Sequence, residues 1–189
     1  MGKPFIVQAR TDKGKVPMAF HVAHWGHLFD YAAVGYDQYN KPAIPIETKG
    51  EMFIPDSVTT PDGRCLQVCW ISRGCFQNCG NITAIHLPHT IETISDLAFQ
   101  NCKSLREITL SDSLQVIYPQ AFAGCDALRR IIFRSPNPPR TYFEGTFEER
   151  TINTATIVVP FGSADKYLED NFLSRFRHHM ELISTCPGQ

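Results

Sequence analysis

No stretch of 18 consecutive apolar residues occurs in this 189-residue chain, so nothing in it reads as a membrane-spanning helix. Residues 1 to 10 hold no apolar run long enough for the core of a signal peptide. An excess of charge of one sign is missing too: 18 Lys and Arg oppose 19 Asp and Glu, and a formal net charge of −1 supplies no long-range field toward nucleic acid or an anionic membrane. A Gly-rich phosphate loop, a Gly-x-Ser-x-Gly elbow and carboxylates paired for acid–base work are also absent. The sequence therefore predicts neither an enzyme nor a cofactor site. Low-complexity tracts are lacking as well, and a chain 43% hydrophobic and 20% charged is expected to be ordered, as one domain or a repeat array with end caps.

What the chain does contain is self-similarity. Phe76, Phe99 and Phe122 recur with a 23-residue period, as do Cys79, Cys102 and Cys125, then Ile82, Leu105 and Leu128, and Ile85, Ile108 and Ile131. Leu87, Leu110 and Phe133 follow the same phase, with Val68, Ile91 and Leu114, with Ile71, Ile94 and Ile117, and with the small residues Cys75, Ala98 and Ala121. A period between about 20 and 50 residues marks a solenoid, whose units are too small to bury an apolar face alone and must stack. Within one unit, Leu105-Arg106-Glu107-Ile108-Thr109-Leu110 turns its first, fourth and sixth residues inward and predicts a short strand paired in parallel with its copies. Ser111-Asp112 and Pro88 mark the exit from that strand, and a helical turn, Ala98-Phe99-Gln100-Asn101-Cys102, places Phe and Cys inward. Asn78, Asn101 and Gly124 stand where that turn ends and a left-handed residue is wanted.

Seven cysteines are present, an odd number. Cys79, Cys102 and Cys125 stack one coil apart as small buried groups; their parallel Cβ vectors argue against a disulfide and for free thiols.

The unit Ala98-Phe99-x-x-Cys102-x-x-Leu105-x-x-Ile108-x-Leu110 resembles the BspA-type leucine-rich repeats, found largely in bacterial surface and secreted proteins. Phe53-Ile54-Pro55-Asp56-Ser57-Val58, Asp62-Gly63 and Val68-x-x-Ile71 resemble that family's first repeat. Ala155-Thr156-Ile157-Val158-Val159-Pro160, Gly162-Ser163 and Tyr167 resemble its closing segment, so the likeness covers residues 50 to 183. It implies a leucine-rich-repeat solenoid: a right-handed superhelix with a parallel β-sheet of short strands, short helical turns between coils and a C-terminal capping helix. Outside the likeness, weak alternation at Phe5-Ile6-Val7 and Phe20-His21-Val22 predicts a small β-rich N-terminal cap. The expected division is 1–49 N-terminal cap, 50–160 solenoid and 161–189 C-terminal helix and tail. Cys75 stands where the family usually has Ala, and Arg134 to Pro139, with three prolines, is expected to stop regular coiling near residue 134 and leave one irregular rung. Behind Ser163 as N-cap, residues 164 to 176 carry Leu168, Phe172 and Phe176 at i, i+4 and i+8, which predicts one amphipathic helix. Cell-surface or secreted placement follows from the resemblance; a start without a leader leaves both a removed leader and a cytoplasmic protein open.

Three other groups invite a chemical reading. His21, His24 and His27 would bring two imidazoles to one metal on a helix, but the alternation of Phe20 and Val22 predicts a strand, on which residues three apart face opposite ways. Cys65, Cys69, Cys75 and Cys79 imitate a zinc site with the wrong spacing, since Cys75 and Cys79 belong to the repeat, and four residues of strand put Cys65 and Cys69 roughly 13 Å apart. His178-His179 carries no pattern, and the glycosylation sequon at Asn81 falls on a repeat turn. No metal site is expected from any of them.

What remains is a surface. By phase, the outward strand row holds Phe53, His86, Thr109, Ile132 and Val158, beside Glu51, Ala84, Glu107, Arg130 and Thr156, and beside Gly50, Thr83, Arg106, Arg129 and Ala155. Phe53 and Ile132 are apolar where water prefers polar side chains, and Arg106, Arg129 and Arg130 surround them, a mixture suited to binding a protein or a surface glycan. The plain alternative is that these are ordinary strand residues, with Phe53 packed under the N-terminal segment. The function expected is therefore a non-enzymatic recognition or adhesion module, the alternatives being an intracellular scaffold and a metal-dependent enzyme built on the three histidines. Neither partner nor oligomeric state is legible.

Overall fold

The computed structural model describes residues 3–25, 29–36, 41–142 and 145–183. His27 and Cys186 lie outside them. An antiparallel meander comes first: β1 (Phe5–Thr11), β2 (Gly14–Trp25) and β3 (Phe29–Val34). The coils follow as β4 (Gly50–Phe53), β5 (Ser57–Thr59), β6 (Cys65–Ile71), β7 (Ile82–His86), β8 (Thr93–Ile94), β9 (Glu107–Leu110), β10 (Val116–Ile117), β11 (Arg130–Phe133) and β12 (Arg140–Thr141). Helix α1 (Glu149–Thr154), β13 (Thr156–Val159), α2 (Ala164–Glu169), a 3₁₀ segment (Leu173–His179) and β14 (Met180–Leu182) close the chain.

Each coil feeds two walls. The first wall is the parallel row β4-β7-β9-β11-β13-β14, and the second is the parallel row β6-β8-β10-β12. The meander joins them: β1 pairs antiparallel with β4 and β3 pairs parallel with β6, so one hydrogen-bonded sheet runs around that end of the array. Pairing the first strand of both walls removes the two edges that would otherwise be open there. At the far end the path stops on β12 and β14, which are only 2 and 3 residues long.

The repeat residues fill the space between the walls. Phe76, Phe99 and Phe122 are fully buried and stacked, with centroids 5.3 and 5.1 Å apart, and Phe147 continues the column 5.0 Å beyond Phe122. The turns that carry these rings form a third hydrogen-bonded row, Phe76 N to Ala98 O and Phe99 N to Ala121 O, both 2.8 Å. Each ring lies between two left-handed residues. Asn78, Asn101 and Gly124 have φ of 62°, 60° and 71°, as the turn chemistry predicts, and Leu97 and Gln120 take the same sign at 57°. Gly124 has a second constraint, because a Cβ there would meet Asn101 Oδ1 at 2.3 Å. Ser111 makes the expected turn, its Oγ accepting from Ser113 N–H at 3.0 Å.

The proline-rich segment lengthens one coil without ending the stack. Ile131 pairs with Ile157, further along the chain than the repeat period would place its partner, and α1 takes up part of the extra chain. The C-terminal segment departs from expectation: the single amphipathic helix over 164–176 is two short pieces. Asp170 (ψ 132°) leaves helical geometry, and its Oδ1 accepts from Phe172 N–H (2.9 Å) and Leu173 N–H (2.7 Å), starting a new turn in a new phase. Tyr167, Phe172, Leu173 and Phe176 consequently face the core, whereas Leu168 is 42% exposed. Ser163 makes no side-chain cap bond.

The six described cysteines are free thiols. Cys102 Sγ and Cys125 Sγ each lie 3.2 Å from the carbonyl of the Phe in the preceding coil. Burial pushes the Cys79 and Cys125 thiols up to about 12, and those of Cys75 and Cys102 well above their ordinary value of 9.0. An unfolded chain ionises these thiols from about pH 9 while the folded one keeps them protonated, so their stabilising contribution is complete below pH 9 and is lost as pH climbs towards about 12. Urea titrations are therefore expected to show stability falling above pH 9 by up to about 1.4 kcal/mol per pH unit for each thiol. Cys125→Ala should flatten that slope.

Candidate recognition surfaces

The strand row assembles in the expected register. Phe53, His86, Thr109, Ile132 and Val158 are consecutive cross-strand partners, with Arg10 beyond Phe53 at one end and Glu181 beyond Val158 at the other. Glu51, Ala84, Glu107, Arg130 and Thr156 form the row alongside.

Much of this face is engaged with itself. Phe53 lies between the Arg10 guanidinium (4.7 Å) and the His86 ring (4.6 Å), and His86 Nε2 is 3.4 Å from Glu51 Oε2. Arg130 bridges Glu107 (3.6 Å) and Glu181 (3.0 Å) across four strands, β9 to β14, and Arg129 turns back onto the carbonyls of Asp126 and Leu128. These exposed pairs contribute little to stability, about 0–1 kcal/mol each, but they orient the row. Four expectations change here, the first at Ala84, which stands in the row alongside yet is only 8% exposed. Thr109 and Val158 stand in the row yet are only 4% and 3% exposed, shielded by longer neighbours, and Ala155 is wholly buried because it closes α1, its N–H bonded to Thr151 O. Arg106 and Arg129 remain exposed, and Ile132 is half-buried between its cross-strand partners Thr109 and Val158.

The histidines separate. His21 Nδ1 is 3.2 Å from Gly35 O, and His24 Nδ1 is 2.5 Å from Asp30 Oδ1. Cys75 and Cys79 are in the core while Cys65 and Cys69 lie on the outer side of β6, so the four thiols do not converge. Among the described residues no cluster of three or more His, Cys, Asp or Glu is placed to hold a metal, and no helix is long and apolar enough to cross a membrane.

Sequence reasoning missed the second wall. A cleft of about 590 Å³ opens between the meander and the coils, lined by Tyr31, Cys69, Trp70, Glu92, Thr93 and Gln115, with Phe29 at its rim. Tyr31 and Trp70 stack at 5.9 Å with ring planes 6° apart, and Trp70 Nε1 donates to Ser95 Oγ at 2.5 Å. Gln115 Nε2 donates to Glu92 Oε2 at 3.3 Å. Below Phe29, His24 and then Arg64 hold the Asp30 carboxyl under its usual range. A signal was present: Cys69, Glu92 and Gln115 keep the repeat period and form an outward row of their own, but the meander residues that complete the cleft have no place in the repeat.

Parallel walls built from a 23-residue unit define a leucine-rich-repeat solenoid. The model of the BspA type leucine rich repeat region matches residues 52–172 in six copies, and this chain belongs to that family. Its structure is similar to that of a leucine-rich repeat protein from Bacteroides capillosus (26% identity, TM-score 0.58, 75% of this chain and 93% of that one). A leucine rich cell surface protein from Faecalibacterium prausnitzii shares the fold at 21% identity and TM-score 0.54, over 82% of this chain and 38% of that one. No curated protein matches.

Proposed function

We propose that this chain is a non-enzymatic recognition or adhesion module, displayed on a bacterial surface or secreted, that presents its first wall to a protein or surface-glycan partner. Residues 50–160 act in this reading as a right-handed superhelical solenoid closed by caps at 1–49 and 161–189. Its support is the composition of the wall at Ile132: an aliphatic side chain half in water, with exposed Arg106 and Arg129 at the entrance to the neighbouring strand and to its own, on a wall where Glu51 and His86, and Glu107, Arg130 and Glu181, already engage one another. Arginine beside apolar area is the composition of binding hot spots. The cell-surface relative from F. prausnitzii supports the location. Replacing Arg129 and Ile132 together by Glu is expected to weaken a captured partner by about tenfold or more, roughly 1.4 kcal/mol, with the melting temperature unchanged. Surface plasmon resonance on both proteins checks this, and equal affinities would remove the first wall as the binding face.

A specific observation favours a second reading, an intracellular scaffold: the six described cysteines are free, as a reducing compartment would keep them. Fractionation of the native organism separates the two.

A further inference from the structure

The cleft on the second wall presents a different chemistry from the strand row. Its volume, about 590 Å³, falls in the range of about 300–1,000 Å³ typical of small-ligand sites. Tyr31 is 9% exposed and borders the cleft, and no described residue accepts a hydrogen bond from its hydroxyl. Burial raises Tyr31 to about 12, with Cys69 and Glu92 adding to the effect, so the hydroxyl stays protonated at physiological pH. The hydroxyl meets solvent at the cleft, where it is free to donate to an acceptor on a ligand. Glu92 supplies two acceptor oxygens, one shared with Gln115, whose amide keeps both a donor and an acceptor free. Apolar area completes the site: Phe29 is 71% exposed at the rim, and Trp70 is half-buried with its ring orientation fixed by Ser95.

Charge and ring geometry narrow the ligand. Asp30 is paired with Arg64 and bonded to His24, which leaves Glu92 as the carboxylate facing the cleft and opposes an anion. A cationic ligand wants several ring faces boxed around it. Here Tyr31 and Trp70 lie parallel, each covering at most one face of the other, so they do not stand as separate walls of a box. Ring surface edged by alternating acceptors and donors instead matches a neutral pyranose, which offers an apolar C–H face and a rim of hydroxyls. We propose that the cleft between β3, β6 and β8 binds one or two rings of a neutral oligosaccharide, with Phe29 and Trp70 against the sugar's C–H face and Glu92, Gln115 and Tyr31 bonded to its hydroxyls.

Saturation-transfer NMR on the full chain tests this, using cellotetraose, maltotetraose, laminaritetraose, mannotetraose and chitotetraose as probes, with tetramethylammonium as the cationic comparison. Transfer to the ring C–H protons of at least one saccharide is expected, at a dissociation constant near the millimolar range or tighter, about that of a few net hydrogen bonds and one ring contact. Glu92→Ala and Phe29→Ala, both of side chains that reach solvent, should each lower the signal by about fivefold or more, the loss of roughly one hydrogen bond or ring contact. Arg129→Glu/Ile132→Glu, on the other wall, should leave it unchanged, which makes this result independent of the first-wall proposal. Absence of transfer from all five saccharides, transfer insensitive to both cleft variants, or Glu92-dependent binding of tetramethylammonium alone would each overturn the assignment.

Discussion

Phe99→Ala is expected to destabilise the protein by about 3–5 kcal/mol, among the largest effects of any single substitution here. Phe99 is fully buried between the Phe76 and Phe122 rings, and Cys102 lies one turn away in the same core. Deleting a buried aromatic ring loses its transfer free energy and adds a cavity term, which is large when the surroundings cannot close. They cannot close here. The coils on either side are held at strand spacing by three hydrogen-bonded rows, two in the walls and one at the Phe turns themselves, so Phe76 and Phe122 cannot move together without breaking backbone bonds. Urea unfolding followed by circular dichroism reads the effect, and heating should show a drop on the order of 10 °C. A loss below about 1 kcal/mol, the level of an ordinary surface change, would mean that the ring column is not the packed core described here.

Phe147→Ala should cost a similar amount, about 3–5 kcal/mol locally, but with a different signature. Phe147 is the ring through which the lengthened last coil meets the C-terminal segment: it stacks on Phe122 at 5.0 Å and Phe172 at 6.2 Å, and meets Phe176 edge-on at 5.7 Å. In a stacked-repeat array each unit is stabilised only by its neighbours, so a defect at the end releases the end. Amides of α2, the 3₁₀ segment and β14 should lose hydrogen-exchange protection while those of β4, β7 and β9 keep it. Phe161→Ala, of a ring 68% exposed in the same region, should stay within about 0.5 kcal/mol of wild type. Uniform loss of protection along the chain after Phe147→Ala would show that the array unfolds as one unit.

These two phenylalanines also show what the sequence could reveal. Phe99 is visible because its neighbours in the column sit one repeat period away on both sides, and the same spacing places the cysteine column, the strand register and the left-handed asparagines. Phe147 is hidden because the proline-rich segment pushes it past the position where the period would put a ring after Phe122, out of phase though in the same column. The C-terminal helix misled for a local reason: Asp170 can cap the turn that follows it as well as continue the one before, and the capping bonds prevail. The meander's strand character is legible in the alternation of its first residues, but its pairing with both walls is not. Strand partners distant in sequence leave no periodic trace, and the second-wall cleft depends on that pairing. On the first wall the register was legible and the burial was not, since exposure of Thr109 or Val158 depends on the reach of side chains one strand away.

The central claim is that recognition uses side chains on the first wall, while the repeat residues serve only to hold that wall in place. Hydroxyl-radical footprinting of the chain, free and bound to a partner that it captures, tests this most directly. Phe53, His86 and Ile132 should lose oxidation on binding, while Tyr118 and Tyr142, stacked at 5.3 Å on the second wall, should be unchanged. Protection confined to Tyr118 and Tyr142, with Ile132 oxidised as in the free protein, would contradict it.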